Sequence, residues 1–419
     1  MNIFKLSWSY TKAKPLNTTL NITLFAFGIA IIIVLLLFSK QAEQKLNDNA
    51  EGIDLVIGAK GSPLQLILCN IFHVDFPTGN IPLKEAESII KNRFVKNAIP
   101  LALGDSYRGY RIVGSTHEYT ALYEVKVAQG ALWSNELEAT VGATAAKNLN
   151  LSIGDEFASQ HGLSEDGYAH DEAAFTVVGI LEPSNTVIDN LILTNVQSVW
   201  KVHESHDEEE EEHVEHDSTT HTVVESNLIP GVHLEEEETR EVTSLLIQYR
   251  SPMAAVQFPR YVNANSNLQA ASPAFETARL FSLIGIGIDV IRGFAYVIIF
   301  IAALSIFIAL YNSLKERKYD LAIMRSMGGA KGKLFLSIII EGAIITCMGC
   351  GVGLLLGHFT IEIINNFVPE SDQSGITGKV LMVEEIWVLA ASITLGVLAS
   401  IIPAVGVFRT DVSRTLSQG

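Results

Sequence analysis

Six of the eleven histidines in this 419-residue chain fall in one stretch: His203, His206, His213, His216, His221 and His233. From His203 to Glu238 the same stretch holds fourteen Asp and Glu and no Lys or Arg. His203/His206 and His213/His216 are three residues apart, so on a helical turn both imidazoles of a pair face one way. Imidazole beside carboxylate suits a borderline divalent ion such as zinc, and the expected role is a low-affinity collector or sensor rather than a rigid site. With so few apolar residues to order it, the alternative is a solvated, low-complexity loop. Without those fourteen acids the net charge of −17 becomes −3, so the acidity is one local feature. It argues against nucleic acid as a partner, because phosphate binding needs a basic footprint.

Other chemistry is sparse. No Gly-x-x-x-x-Gly-Lys-Ser/Thr is present: Gly332-Lys333 has Met327 where the first Gly should be and Leu334 where Ser/Thr should be, so ATP hydrolysis by this chain is excluded. No serine, cysteine or histidine sits in a recognisable nucleophile–base motif, and an enzyme is the weaker class. Of three cysteines, Cys347 and Cys350 lie in an apolar stretch and read as small packing residues, which leaves Cys69 alone elsewhere and no disulfide framework.

The elements that must position these residues begin with four apolar stretches, Leu20–Phe38, Gly293–Leu310, Leu334–Gly357 and Ile386–Val407. Each is long enough as a helix to cross a hydrocarbon core of roughly 30 Å. Only the third carries a charge, Glu341, an ionisable residue that must find a partner inside the membrane, where a structural hydrogen bond is favoured over a proton relay. Basic residues concentrate before the first span (Lys5, Lys12, Lys14), between the second and third (Lys315, Arg317, Lys318, Arg325, Lys331, Lys333) and after the fourth (Arg409, Arg414). By the positive-inside rule both termini are cytoplasmic and the large domain is outside. The expected order is an entry helix at 1–19, a span at 20–38 read as an uncleaved signal anchor, an extracytoplasmic domain at 39–283 with its His/Glu insert at 203–238, and a span at 284–310. A cytoplasmic loop at 311–333, a span at 334–357, an outer loop at 358–385, a span at 386–407 and a tail at 408–419 complete it.

The outer domain is expected to be mixed α/β. Gly52–Gly58 reads as a short strand entering a Gly-rich turn at Gly58–Pro63, Leu83–Phe94 as a helix, Thr140–Leu149 as another helix, and Ala174–Leu181, Leu191–Leu193 and Ser244–Tyr249 as strands. From Trp200 to about Arg240 the order is expected to break down. Ala274–Arg292 reads as an amphipathic helix feeding the second span.

The most specific segment is the loop between the second and third spans. Leu321, Met324 and Met327 or Gly328 fall on one side of a short helix and Arg325 on another, ended by Gly328-Gly329. Such a helix either docks a cytoplasmic protein or lies at the lipid headgroups. In the third span Gly349, Gly353 and Gly357, at four-residue spacing, give one smooth face for close contact, within a protomer or across a dimer.

Arg317, Asp320, Leu321, Ala322, Ile323, Met324, Arg325, Met327, Gly328 and Ala330, followed by Glu341 and the repeated glycines, resemble the signature of the MacB/FtsX/lipoprotein-releasing (LolC/LolE-like) superfamily of ABC-transporter permeases. Gly329 in the turn and Asp320 in place of the usual Glu are departures. Gly130-Ala131-Leu132-Trp133, Val141-Gly142, Ala145-Ala146, Ile153-Gly154-Asp155 and Phe175–Leu181 resemble the family's periplasmic core domain, and Pro403-Ala404 with Asp411 and Leu416 its C-terminal end.

The resemblance implies an integral inner-membrane protein of four helices with a MacB-like α/β domain between helices one and two. It implies a non-enzymatic permease whose partner, a cytoplasmic ABC ATPase, binds ATP and Mg and grips 311–333 as a coupling helix. It further implies a homodimer or paired permease, and mechanical action on a periplasmic or outer-membrane partner. Asp54–Ser62 and Asn70–Asn80, with His73, Pro77 and Gly79, resemble permeases encoded with zinc-responsive uptake systems, which favours metal handling. Two other readings stand beside it: an exporter or lipoprotein-release permease for lipophilic cargo with no metal role, and a membrane-bound metal sensor.

Overall fold

The computed structural model describes residues 3–161, 169–207, 224–230, 233–234, 240–316, 323–327, 330–367 and 376–405. The chain divides into two compact units, Met1–Ala42 with Leu283–Gly419, and Glu43–Ser282.

In the first unit, among the described residues, four helices are long and apolar enough to cross a membrane: Pro15–Ala50, Pro273–Glu316, Lys331–Asn365 within a helix that continues to Phe367, and Val383–Val405. At 1.5 Å per residue all four exceed the roughly 30 Å of a hydrocarbon core, and the first three extend well past the apolar stretches that mark them in the sequence. A shorter helix, Ile3–Ala13, precedes the first. Phe25, Ile29, Ile33 and Leu37 are fully buried, and their four-residue spacing turns one face of the first long helix into the bundle. Ala302, Ile306, Leu334 and Ile345 join the same core.

The second unit is built on one ten-stranded mixed sheet. The strands are β1 (Leu55–Ala59), β2 (Ile81–Pro82), β3 (Val95–Tyr107), β4 (Tyr110–Gly114), β5 (Val127–Gly130), β6 (Glu138–Val141), β7 (Glu156–His161), β8 (Ala169–Leu181), β9 (Leu191–Thr194), β10 (Val224–Glu225), β11 (His233–Leu234), β12 (Glu241–Val242), β13 (Ser244–Tyr249) and β14 (Leu268–Ala271). The sheet runs β14-β1-β13-β3-β4-β9-β6-β8-β5, with β7 bridging β3 and β8, while β10–β11 and β12–β2 form separate two-stranded pairs. Apolar stretches such as Leu191–Leu193 and Leu245–Ile247 are buried on both faces, as expected where helices cover a sheet.

Several sequence expectations shift at their edges: the strand expected over Gly52–Gly58 runs Leu55–Ala59, and the one expected over Ala174–Leu181 starts at Ala169. The helix expected over Thr140–Leu149 starts at Ala143, because Thr140 and Val141 pair with β8 and β9. The helix expected over Leu83–Phe94 ends at Ile90: Asn92 Oδ1 accepts from the Phe94 amide at 3.1 Å and turns the chain into β3. Order continues past Trp200 to Asp207 in a helix from Val196. Val196, Val199 and Val202 are buried there at helical spacing, and Trp200 Nε1 donates to the Glu241 carbonyl at 2.6 Å. The Gly-rich turn after β1 leads into a helix at Pro63–Asn70, where Ser62 Oγ accepts from the Gln65 amide and Pro63 occupies the first turn.

Within the His/Glu insert, residues 226–228 are anchored by one buried side chain. Glu87 Oε1 accepts from Ser226 Oγ (2.5 Å) and from the amides of Asn227 (2.8 Å) and Leu228 (3.0 Å). Three donors on one carboxyl oxygen fix residues 226–228 against the Leu83–Ile90 helix.

Candidate coupling site

At one end of the helical bundle the Ile3–Ala13 helix is bolted to the third long helix. Ser7 Oγ lies 2.8 Å from the Ser337 carbonyl, to which it donates, and 3.0 Å from Ser337 Oγ. Thr11 Oγ1 donates to the Ser7 carbonyl and Thr18 Oγ1 to the Thr11 carbonyl, so each hydroxyl is satisfied by a main-chain oxygen. Lys14 pairs with Glu316 at the end of the second long helix. These contacts join three segments far apart in sequence.

Within the 311–333 connection, residues 323–326 form a helical turn, and the Met327 amide donates to the Ile323 carbonyl at 3.0 Å. Met324 turns inward. Together with Leu6, Tyr10, Leu310, Leu334 and Glu341 it lines a cavity of about 20 Å³, room for about one water molecule. Met327, expected on the same side as Met324, is 83% exposed instead. Arg325 is half-buried and Ser326 exposed. Arg317, Asp320, Leu321 and Gly328 lie outside the described residues. Glu341 is buried at 6% exposure among these groups, and Ser313 Oγ, also lining the cavity, is buried with no hydrogen-bond partner among the described residues.

The three glycines of the third span face the first long helix of the same chain. A Cβ at Gly349 would meet Phe25 Cβ at 2.9 Å, at Gly353 the Ala26 carbonyl oxygen at 2.7 Å, and at Gly357 Ile33 Cβ at 2.8 Å. Their four-residue spacing matches that of Phe25, Ile29 and Ile33, so the bare glycine face receives the large side chains of its neighbour. Gly342 of the third helix and Gly396 of the fourth play the same part between those two: a Cβ there would come within 2.6 Å of Ser400 Cβ and 2.0 Å of Thr346 Oγ1 respectively. The third helix is thus in contact on two sides with almost no space between helices.

At the opposite end of the bundle a second polar network closes the helices together. Gln41 Nε2 donates to the Thr377 carbonyl (2.8 Å) and the Thr377 amide donates back to Gln41 Oε1 (2.9 Å). Glu362 Oε1 accepts from Thr377 Oγ1 and from the Gly378 amide, each at 2.9 Å. His358 Nδ1 donates to the Gly378 carbonyl, and its Nε2 lies 3.2 Å from Glu385 Oε2.

The sequence marks an entry helix at 1–19, with Ser7–Thr19 similar to that of the family, but neither the side chains that lock it nor this second network. The signal for the first was Ser7 and Thr11, two small hydroxyls one turn apart on an otherwise amphipathic helix. For the second it was a histidine and a glutamate one turn apart, His358 and Glu362, at the end of a Gly-rich span.

The insert histidines are only partly described. His203 and His206 fall on the Val196–Asp207 helix and His233 on β11, whereas His213, His216 and His221 lie outside the described residues. Among the described residues no group of three His, Cys, Asp or Glu side chains is placed to hold a metal ion.

Comparison with known proteins places both halves of the chain. Residues 18–255 match the model of the MacB-like periplasmic core domain, and residues 292–412 that of the FtsX-like permease C-terminal region. Among solved structures, the periplasmic region of MacB from Actinobacillus actinomycetemcomitans aligns at 12% identity, over 57% of this chain and 98% of that one, with a TM-score of 0.32. The extracellular domain of the noncanonic ABC-type transporter YknZ from Gram-positive bacteria aligns at 11% identity, over 52% and 99% respectively, with a TM-score of 0.30. A comparison with curated proteins returned no match. With its MacB-type α/β domain following the first of four membrane helices, the chain belongs to the MacB/FtsX family of ABC-transporter permeases.

Proposed function

We propose that this multi-pass permease sits in the bacterial inner membrane with both termini in the cytoplasm. There it couples ATP hydrolysis by a separate cytoplasmic ABC ATPase, which supplies the ATP and Mg site, to movement of its extracytoplasmic α/β domain. The observation that carries this reading is the seating of Met324. The one described turn of the 311–333 connection inserts a side chain between the entry helix, the second long helix and the third. A push on that turn therefore meets packed side chains in three helices at once, and the glycine face at Gly349, Gly353 and Gly357 passes it to the first long helix without a compressible gap. Exposed Met327 and half-buried Arg325 are left as the groups a docked subunit would touch.

Arg325→Glu is expected to abolish co-purification of the ATPase from membranes while the chain still inserts and folds. Retention of the ATPase by that variant at wild-type level would sink the coupling assignment. Two such chains, or this chain with a related permease, form the working dimer in this reading, and a periplasmic or outer-membrane protein receives the motion.

Zinc is the proposed object of that work. Support comes from the His/Glu stretch, whose imidazoles and carboxylates have the donor chemistry of a borderline divalent ion. Replacing His203, His206, His213, His216, His221 and His233 together with Gln in the full chain is expected to remove zinc binding of micromolar or tighter affinity, read by calorimetry. If the unaltered chain takes up no zinc, the stretch is a solvated spacer and the cargo is lipophilic.

A further inference from the structure

A groove of about 440 Å³ opens on the α/β unit, with Asn227, Leu228 and Pro230 of the His203–Glu238 stretch on its rim. That size lies within the roughly 300–1,000 Å³ range of small-molecule sites. Its position follows from the sheet. β13 pairs with β3 with a register shift between Gln248 and Tyr249, and the Arg250 amide then donates to the Phe94 carbonyl at 2.9 Å. The shift brings Arg250, just past the end of β13, beside Lys96 at the start of β3, and both cations line the groove. Ile90 and half-buried Ala98 supply apolar wall, with Leu228 buried beneath.

The polar groups are already directed. Asn97 Oδ1 accepts from the Ala98 amide at 3.0 Å, which leaves its NH₂ as a donor at the groove. His117 is held by Nε2, which donates to the Trp133 carbonyl at 2.8 Å, with the two rings edge to face at 5.0 Å. The far rim, Asn227 to Pro230, is fixed by the hydrogen bonds to Glu87. The walls are therefore preformed, which reduces the ordering cost of binding.

Charge identifies the occupant. The unit 43–282 contains 36 Asp and Glu against 15 Lys and Arg. Within that acidic body the groove gathers, among the described residues, two side-chain cations against one carboxylate, Glu118. An excess of one positive charge with adjacent apolar wall matches a monoanion carried on a short apolar body. The guanidinium of Arg250 and the amide of Asn97 offer the planar, multiple-donor geometry that a carboxylate accepts.

We infer that this groove is a binding site for small organic carboxylates with an apolar chain. The carboxylate sits between Arg250 and Lys96, and the chain lies along Ile90 and Leu228. The inference is independent of the coupling reading, since it concerns a surface wholly within the α/β unit and needs no ATPase.

The test uses the full chain in lipid nanodiscs, with hexanoate as the probe, hexanamide as its uncharged counterpart, hexylphosphonate as the alternative anion and empty nanodiscs as the blank. Hexanoate is expected to bind saturably by calorimetry at one site per chain, and hexanamide at least tenfold more weakly. Arg250→Gln and Lys96→Gln should each weaken hexanoate about tenfold, the scale of one charge-assisted hydrogen bond. Lys147→Gln removes an exposed cation outside the groove and should leave binding unchanged. Both groove cations are exposed, so an unchanged melting profile will show that their variants fold. The inference is overturned if hexanoate shows no saturable binding, if the two groove variants bind it as well as Lys147→Gln does, or if hexylphosphonate binds more tightly than hexanoate.

Discussion

Gly179→Ala is expected to prevent folding of the α/β unit, although it adds one methyl group. Gly179 lies in β8 opposite Gly130 of β5, and a Cβ there would stand 2.0 Å from the Ala131 carbonyl oxygen. That oxygen belongs to a backbone that cannot retreat, because the Ala131 amide donates to the Val178 carbonyl at 3.1 Å. The next turn is tied in the same way. The Gly154 amide donates to the Val177 carbonyl at 2.8 Å, and the Val177 amide to the Asp155 carbonyl at 2.9 Å. Relief of the overlap would require parting β5 from β8 and breaking those bonds, at a cost of about 4 kcal/mol or more, the range reserved for severe core disruption. That is a large share of the roughly 5–15 kcal/mol that stabilises a domain. The variant should reach the membrane through its apolar helices yet lose protease resistance across residues 43–282. Gly154→Ala serves as comparison: its backbone φ is +92°, but no atom lies within 4 Å of the added Cβ, so only the local strain of about 1–3 kcal/mol applies. Equal protease resistance in Gly179→Ala and the unaltered chain would refute the close-approach account.

The same contacts explain what was legible beforehand. Gly130-Ala131-Leu132-Trp133, Val141-Gly142, Ile153-Gly154-Asp155 and Phe175–Leu181 stand apart in sequence, yet the fold brings them to one corner of the sheet. Gly142 is a further case, with its Cβ position 2.1 Å from the Ile188 carbonyl oxygen. A family motif dominated by glycine here records backbone approach, not chemistry. The four apolar helices were readable because length and composition are local properties, and strands such as Ser244–Tyr249 because short apolar runs between turns are too.

What escaped was decided by partners distant in sequence. The Ser7–Ser337 contact joins residues 330 apart. Strand pairing overrode the helical pattern at Thr140 and Val141. The inward turn of Met324 and outward turn of Met327 depend on where the Ile3–Ala13 helix packs, which periodicity within 311–333 does not contain. The groove near Lys96 and Arg250 draws on four separate segments, none of which forms a motif of its own.

Acidification is expected to destabilise the α/β unit through His73. This residue sits in the Asn70–Asn80 stretch whose resemblance pointed to zinc, but its side chain is in the core, 8% exposed, with Nε2 at 2.9 Å from Tyr119 Oη. Its backbone φ is +55°. Burial, with a further contribution from the nearby Arg111 guanidinium, lowers its pKa from 6.5 to about 3. Arg111 is itself buried, donating to the Asp75 carbonyl at 2.7 Å and to Cys69 Sγ at 3.4 Å. The thiol is pushed up to about 11, chiefly by burial, so it carries no negative charge that could stabilise an imidazolium. The unfolded chain therefore takes up the proton first as pH falls. The stability that His73 contributes as a neutral ring is complete above pH 6.5 and lost progressively down to about pH 3. At 1.36 kcal/mol per unit, about 2 kcal/mol should disappear between pH 6.5 and pH 5. The window matters, because Glu138, whose carboxyl is held below its usual 4.5 by the Asn135 side chain and the amides of Ser134 and Asn135, adds its own loss only at lower pH. Asn tolerates positive φ and does not titrate, so His73→Asn should lower stability at pH 7 while flattening the slope between pH 6.5 and pH 5. Urea unfolding of the full chain, followed by protection of amides in β3 and β4 against hydrogen exchange, reads both quantities. If wild type and His73→Asn lose stability in parallel across that interval, the buried neutral histidine is not the source of the acid sensitivity.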